Sequence, residues 1–277
     1  MLPNLIIIGA MKCGTTSLHY YLGLHPQIFM TWNKELNFFI AERNWPRGQA
    51  WYEKHFPAPA PIRGESSPNY TDYPHLKGVP ERMHSLLPDA QLIYIVRDPI
   101  ERIVSHYLHH YSRNEEDRSL TDALSNLDSN FYVDRSRYAW QLEQFLPYYP
   151  SERILVLSQE DLYQRRRPTL QRVFRWLGVS PDFDHPRFDY LYHRSSSIRR
   201  KNLLGIRLAA LPGLRLIHKL PHRLRTPADH WLFYPFSQPV PRPVLSSDLR
   251  HQLADCLRPD MQRLRALTGQ SFPDWSI

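Results

Sequence analysis

The stretch LIIIGAMKCGTTSLHYYL, residues 5–22, constrains this chain more than any other: an apolar run passes through a glycine turn with one lysine into a helix-like segment. LIII is short, rich in isoleucine and not alternating, which is how a strand buried on both faces of a parallel sheet reads. A strand that ends in such a turn and opens a helix aims backbone N–H groups and the positive helix end at one point, where phosphate binds. Gly9 suits the tight exit from the strand and Gly14 a close approach of backbone to ligand. Lys12 supplies a point charge, and Thr15, Thr16 and Ser17 supply hydroxyls.

The rest of the chain repeats the alternation. QLIYIV (91–96) and RILVL (153–157) are further buried-strand patterns, and helix-like segments cover 15–24, 100–112, 137–149 and 168–178. Strands alternating with helices predict an α/β fold, a single P-loop-like domain over 1–277 with a central, mostly parallel sheet flanked by helices. Residues 195–245 are basic, proline-rich and interrupted, and read as an irregular segment within that domain. Helical periodicity returns over 245–269, with Ser246 or Ser247 as cap and Leu249, Leu253 and Leu257 on one face. There is no internal repeat.

With 42% hydrophobic residues in 277, the chain can bury a real core. No run of about 18 apolar residues suggests a membrane span, and no leader pattern precedes LIII, so a soluble, cytoplasmic protein is expected. Two cysteines, Cys13 and Cys256, make neither a disulfide framework nor a metal site. A net charge of +8 says that the surface attracts anions, without saying which.

Arg97 follows QLIYIV at the carboxyl end of a predicted buried strand, where ligands of open α/β sheets collect, and Ser105 lies two helical turns further on. A guanidinium and a hydroxyl so placed suit a second phosphate. The triphosphatase pattern GxxxxGK[ST] does not fit, because Lys12 precedes Gly14 and the strand end that would carry a metal carboxylate carries Arg97 instead. Asp98 and Glu101 are the alternative, purely structural partners for that arginine.

GAMKCGTTSL resembles the 5′-phosphosulfate loop of sulfotransferases, and IVRDPIERIVSHYLH resembles their 3′-phosphate motif, Arg97 and Ser105 included. NKELNFF, GQAWYEKHFP and GESSPNYTDYP are similar to the following segments of heparan-type and bacterial carbohydrate sulfotransferases. The resemblance implies 3′-phosphoadenosine 5′-phosphosulfate (PAPS) as donor, PAP as product, no metal requirement, and Lys12, Cys13, Gly14, Thr15, Thr16, Ser17, Arg97 and Ser105 as donor contacts. It also implies Lys12 as the cation at the leaving phosphate and Glu35 as base. Glu65 is a second candidate carboxylate, expected to order the site, and Lys34 is expected to steer substrate or tune Glu35. RSSSIRRKN (194–202) is similar to the loop over the 3′-phosphate, which carries the assignment to Arg199 and Arg200. One departure stands out: Ser66 occupies the place of a lysine in heparan-type enzymes.

The expected function is sulfuryl transfer to a hydroxyl or amine, with a saccharide as the foremost acceptor and a small natural product or lipid as the alternative. A P-loop nucleotide kinase and a basic nucleic-acid-binding protein are the readings from other classes; no nucleic acid is expected as partner. His25 and the group His106, His109 and His110 read as structural or surface residues, although some sulfotransferases use histidine as base. Substrate contacts are expected from 40–60, 113–137 and 205–240, where Trp45 and Trp51 read equally as sugar platforms or as core.

Overall fold

The structure is a computed structural model and describes residues 1–57, 59–190, 198–209, 211 and 232–277. The described residues divide into two compact units, one drawn from 1–103, 126–193 and 247–277, the other from 104–125 and 194–246. The first part of the basic stretch, 194–197, and most of 205–240 lie outside the described residues.

The first unit is built on five parallel strands in the order β2-β3-β1-β4-β5. These are β1 (Leu5–Gly9), β2 (Ile28–Met30), β3 (Ile62–Ser66), β4 (Gln91–Val96) and β5 (Ile154–Ser158). The strands predicted from apolar runs are the three on one side of the sheet. All five β1 residues are buried, as the non-alternating pattern requires of a central strand. β2 is a three-residue edge strand, and β3 (IRGES) carries a charged residue into the interior, so neither has an apolar run to announce it.

Helices follow the strands: α1 (Thr15–Leu22), α2 (Gln49–Glu53), α3 (Val79–Leu86), α4 (Pro99–Ser112), α5 (Leu120–Ala123), α6 (Phe131–Asp134), α7 (Tyr138–Glu143), α8 (Gln159–Gln164), α9 (Arg166–Leu177), α10 (Leu203–Ala209) and α11 (Ser247–Thr268). The helix expected over 137–149 ends at Glu143, ahead of the step from Leu146 to Pro147, where the proline ring disfavours helical geometry in the residue before it. α9 begins two residues before the proline expected to open it, and the first helical turn tolerates that ring. Gly178 closes it at φ 70°.

Chain order places the switch of direction at β1 and β4. The connections to β2 and β3 leave β1 on one side and β4 and β5 extend the sheet on the other, so the carboxyl ends of β1 and β4 lie side by side. Both phosphate motifs of the sequence begin there. The second unit holds a two-stranded antiparallel pair, β6 (Arg199–Lys201) with β7 (Ser237–Pro239), next to α10 in the chain.

Candidate active site

The glycine turn is anchored to the sheet. Ala10 N–H donates to the Ile95 carbonyl at 2.7 Å, Cys13 N–H to the Ala10 carbonyl at 3.2 Å, and Lys12 sits at φ 73°. A Cβ on Gly9 would lie 2.1 Å from Thr71 Oγ1, so only glycine fits where β1 leaves the sheet. Gly14, at φ 91°, precedes α1 and gives its first turn no side-chain cap. The N–H groups of that turn therefore have no intrahelical acceptor and are available to an anion.

Lys12 is pressed into this turn, and burial, with the Arg97 guanidinium second and Lys34 further down, lowers its pKa from the ordinary lysine value; Glu35 opposes the shift. Four charged groups thus share one region: Lys12, Lys34, Glu35 and Arg97. Lys34 Nζ donates to Thr16 Oγ1 at 2.7 Å and lies 3.7 Å from Glu35 Oε1. Burial lowers its pKa as well, against the pull of Glu35. Glu35 itself is half exposed, at φ 62°, with its N–H on the Ser66 carbonyl at the end of β3.

Arg97 stands at the end of β4 and donates through Nη1 to the Lys12 carbonyl at 3.4 Å. Its Nε is buried with no hydrogen-bond partner among the described residues. Neither acidic neighbour takes it: Asp98 accepts from Glu101 N–H and Ser276 N–H, capping α4 and pinning the end of the chain, while Glu101 accepts from Arg250. A half-buried guanidinium with a buried, orphan N–H beside an open helix terminus suits an anion.

Glu65 is fully buried and accepts from Tyr52 Oη at 2.8 Å, Tyr70 Oη at 2.7 Å and Ser67 Oγ at 2.7 Å. Burial raises its pKa, and those three donors pull it back. Ser67 Oγ accepts from Asn37 N–H and Tyr70 Oη from Phe38 N–H, so Glu65 organises the loop that carries Glu35. Glu65 has no solvent-exposed face. The Ser66 hydroxyl beside it is buried, with no hydrogen-bond partner among the described residues.

Cys13 is buried, 3.6 Å from Tyr138 Oη, and burial pushes its pKa up to about 11. Trp45 and Trp51 pack against the core around Phe38, and Arg47 lies over Trp51. His25 is buried against Phe174 and Phe183, with Nε2 on the Ser180 carbonyl. No group of three or more His, Cys, Asp or Glu side chains among the described residues is placed to hold a metal, and no described helix is long and apolar enough to cross a membrane.

Ser105, Arg199 and Arg200 belong to the second unit. Ser105 is half-buried on α4. The Arg200 guanidinium bonds Asn114 Oδ1 at 2.7 Å, pairs with Asp117 and lies over Tyr111; Arg199 bonds Ser237 and lies over Tyr234. His106, His109 and His110 are in the same unit, with His106 and His110 paired at 3.0 Å and His110 on Glu115.

Sequence reasoning missed three residues around Glu35. Asn37, Asn69 and Arg135 bond one another in a row behind it. The one signal in the sequence was the asparagine two residues after the glutamate in KELN, a residue type that tolerates the left-handed region.

The family model described as the sulfotransferase domain matches residues 2–202. The chain belongs to the PAPS-dependent sulfotransferase family. It is 28% identical over 207 residues to the human bifunctional heparan sulfate N-deacetylase/N-sulfotransferase 2, covering 67% of this chain and 23% of that protein. The chain thus spans about a quarter of such curated relatives. A sulfotransferase from Alicyclobacillus acidocaldarius superimposes with a TM-score of 0.69 at 23% identity over 100% of both chains. A mouse sulfotransferase in complex with PAP does so at 0.53 and 13%, covering 97% of this chain and 87% of that one. These two likenesses establish the fold: the α/β layers with a five-stranded parallel sheet are those of a sulfotransferase.

Proposed function

We propose that this family member moves a sulfuryl group from PAPS to a hydroxyl or amine of a saccharide. The observation that carries the donor assignment is the meeting of Lys12, the uncapped start of α1 and the orphan Nε of Arg97 at the adjoining ends of β1 and β4. In this reading the 5′-phosphosulfate lies on the glycine turn with Gly14, Thr15, Thr16 and Ser17. Arg97 holds the 3′-phosphate. The saccharide acceptor is supported by the N-sulfotransferase relatives, and a cytoplasmic, reducing location by the two unpaired cysteines.

PAPS brings the activated sulfuryl group, and the residues position it and manage charge. Glu35 takes the proton of the acceptor O–H or N–H as the acceptor–sulfur bond forms. Lys12 stabilises the phosphate oxygen as the sulfur–oxygen bond to PAP breaks. Lys34, bridging Thr16 and Glu35, holds the base loop against the phosphate loop.

Calorimetric titration with PAP, beside ATP and AMP and without metal, tests the donor. PAP is expected to bind tightly and AMP weakly. Arg97→Ala removes a charge-assisted hydrogen-bond donor to the 3′-phosphate and is expected to weaken PAP binding by about 2–3 kcal/mol. Equal binding of ATP and PAP returns the turn to the kinases. Transfer of labelled sulfate from PAPS to de-N-sulfated heparin, with aryl alcohols as comparison acceptors, then tests the saccharide reading.

A further inference from the structure

The loop carrying Glu35 holds two non-glycine residues in the left-handed region, Glu35 at φ 62° and Asn37 at φ 48°. Such residues cost of order 1 kcal/mol or more each and persist only where surroundings over-determine them. One restraint is the Glu65 hub, which reaches the Asn37 N–H through Ser67. A second comes from the opposite side and starts at a buried cation.

Arg135 is 4% exposed, ion-paired with Asp72, and rests Nη1 on Met11 Sδ of the phosphate turn. Its Nη2 also donates to Asn69 Oδ1 at 3.0 Å. Asn69 Nδ2 donates to Asn37 Oδ1 at 3.2 Å, and Asn37 Nδ2 donates to the Glu35 carbonyl at 2.8 Å. A guanidinium can only donate and a carbonyl can only accept. The two ends therefore dictate which way both amides face, and every bond in the row has the same polarity.

We infer that Arg135, Asn69 and Asn37 are positioning residues that fix the backbone of Glu35 relative to the phosphate turn, an inference resting on the reading of Glu35 as base. Arg135 touches both loops, through Met11 and through Asn69, so the two halves of the reaction are referenced to one buried guanidinium. Polarisation along the row strengthens each bond in it. Precision of this kind governs the chemical step more than donor binding.

The polarity supplies a test that volume alone does not. Asn69→Asp is isosteric and still accepts from Arg135. Its second oxygen, however, meets Asn37 Oδ1; if Asn37 turns over instead, its oxygen meets the Glu35 carbonyl. The protein is assayed for PAP binding, melting temperature, labelled-sulfate transfer from PAPS to de-N-sulfated heparin, and backbone hydrogen exchange over 31–39.

PAP affinity and KM for PAPS are expected unchanged and melting temperature to fall by no more than a few degrees, while kcat falls at least about tenfold and exchange over 31–39 accelerates. Asn69→Asp added to Glu35→Gln should cost nothing further, because it acts through Glu35. Wild-type kcat and wild-type exchange in Asn69→Asp overturn the relay, as does a full additive loss in the double variant. Full transfer by Glu35→Gln alone overturns the base reading and, with it, the purpose assigned to the relay. If Asn69→Asp fails to fold, Asn37→Asp makes the same demand from the other end and leaves Arg135, Asp72 and Asn69 intact. Hydrogen exchange reads the relay even where heparin is not the acceptor.

Discussion

His19 shows how one side chain's environment sets a property of the whole chain. It lies on the buried face of α1, 3% exposed, with Nε2 on the Thr31 carbonyl at 3.0 Å and Nδ1 buried with no partner among the described residues. A carbonyl only accepts, so Nε2 carries a proton. Burial first, then the Lys34 charge, push its pKa down to about 3, with the Thr31 carbonyl opposing. The unfolded chain titrates near 6.5, so below that pH it takes up a proton that the folded chain refuses. The stability associated with this depressed group is present above 6.5 and is lost as pH falls toward 3. His19→Gln keeps a donor for Thr31 and does not titrate. Between pH 7 and 5, urea denaturation should show wild type losing about 2 kcal/mol relative to His19→Gln. Parallel pH curves for the two proteins would show that the ring charges in place. Nothing in TTSLHYYL separates His19 from the chain's other thirteen histidines, because burial is a property of the fold and not of residue type. Glu35 and Lys12 could be singled out as candidates because each sits in a short motif of characteristic residue types, GAMKCGTTS and KELN.

At the level of elements, legibility follows how continuous the apolar pattern is. β1, β4 and β5 are buried on both faces and read as apolar runs, whereas β2 is too short and β3 must carry Glu65 inward. The turn after β1 was legible for a different reason, its glycines and lysine being local chemistry. Docking between distant elements was not, and α7 shows why. Its Ala139 and Trp140 N–H groups, in the first turn, donate to Asp260 of α11 at 2.9 and 3.0 Å. A helix start is here capped by a carboxylate from more than a hundred residues away, where a local serine or aspartate would have been visible. Asp260 is 4% exposed, and burial pushes its pKa up to about 6, its two N–H donors and Arg263 opposing. Asp260→Ala leaves two buried donors without acceptors, which should cost about 1–3 kcal/mol and lower Tm by several degrees. A melting curve that overlays wild type would mean that water replaces the carboxylate and that α11 does not anchor α7.

For the molecule as a whole, the net charge of +8 announced an anion but not its place, since dispersed arginines give the same total. The second unit was also hidden, because it joins 104–125 to 194–246 by contacts between segments remote in sequence. The fold brings Lys12, Lys34 and Arg97 into one region around the glycine turn, and both lysines carry a lowered pKa. A lysine so depressed marks positive charge held at a cost to folding, which an arriving anion offsets. Ligand that binds only the folded chain adds about 2.7 kcal/mol at a hundredfold excess over Kd. PAP should therefore raise Tm, and the rise should shrink as salt goes from about 0.05 to 0.5 M, because screening weakens attraction at a partly open site. The same titration with sodium sulfate should give a smaller shift, since one anion satisfies one end of the site. A PAP shift independent of salt, or matched by sulfate at equal concentration, would show that the clustered charge is not what the nucleotide meets.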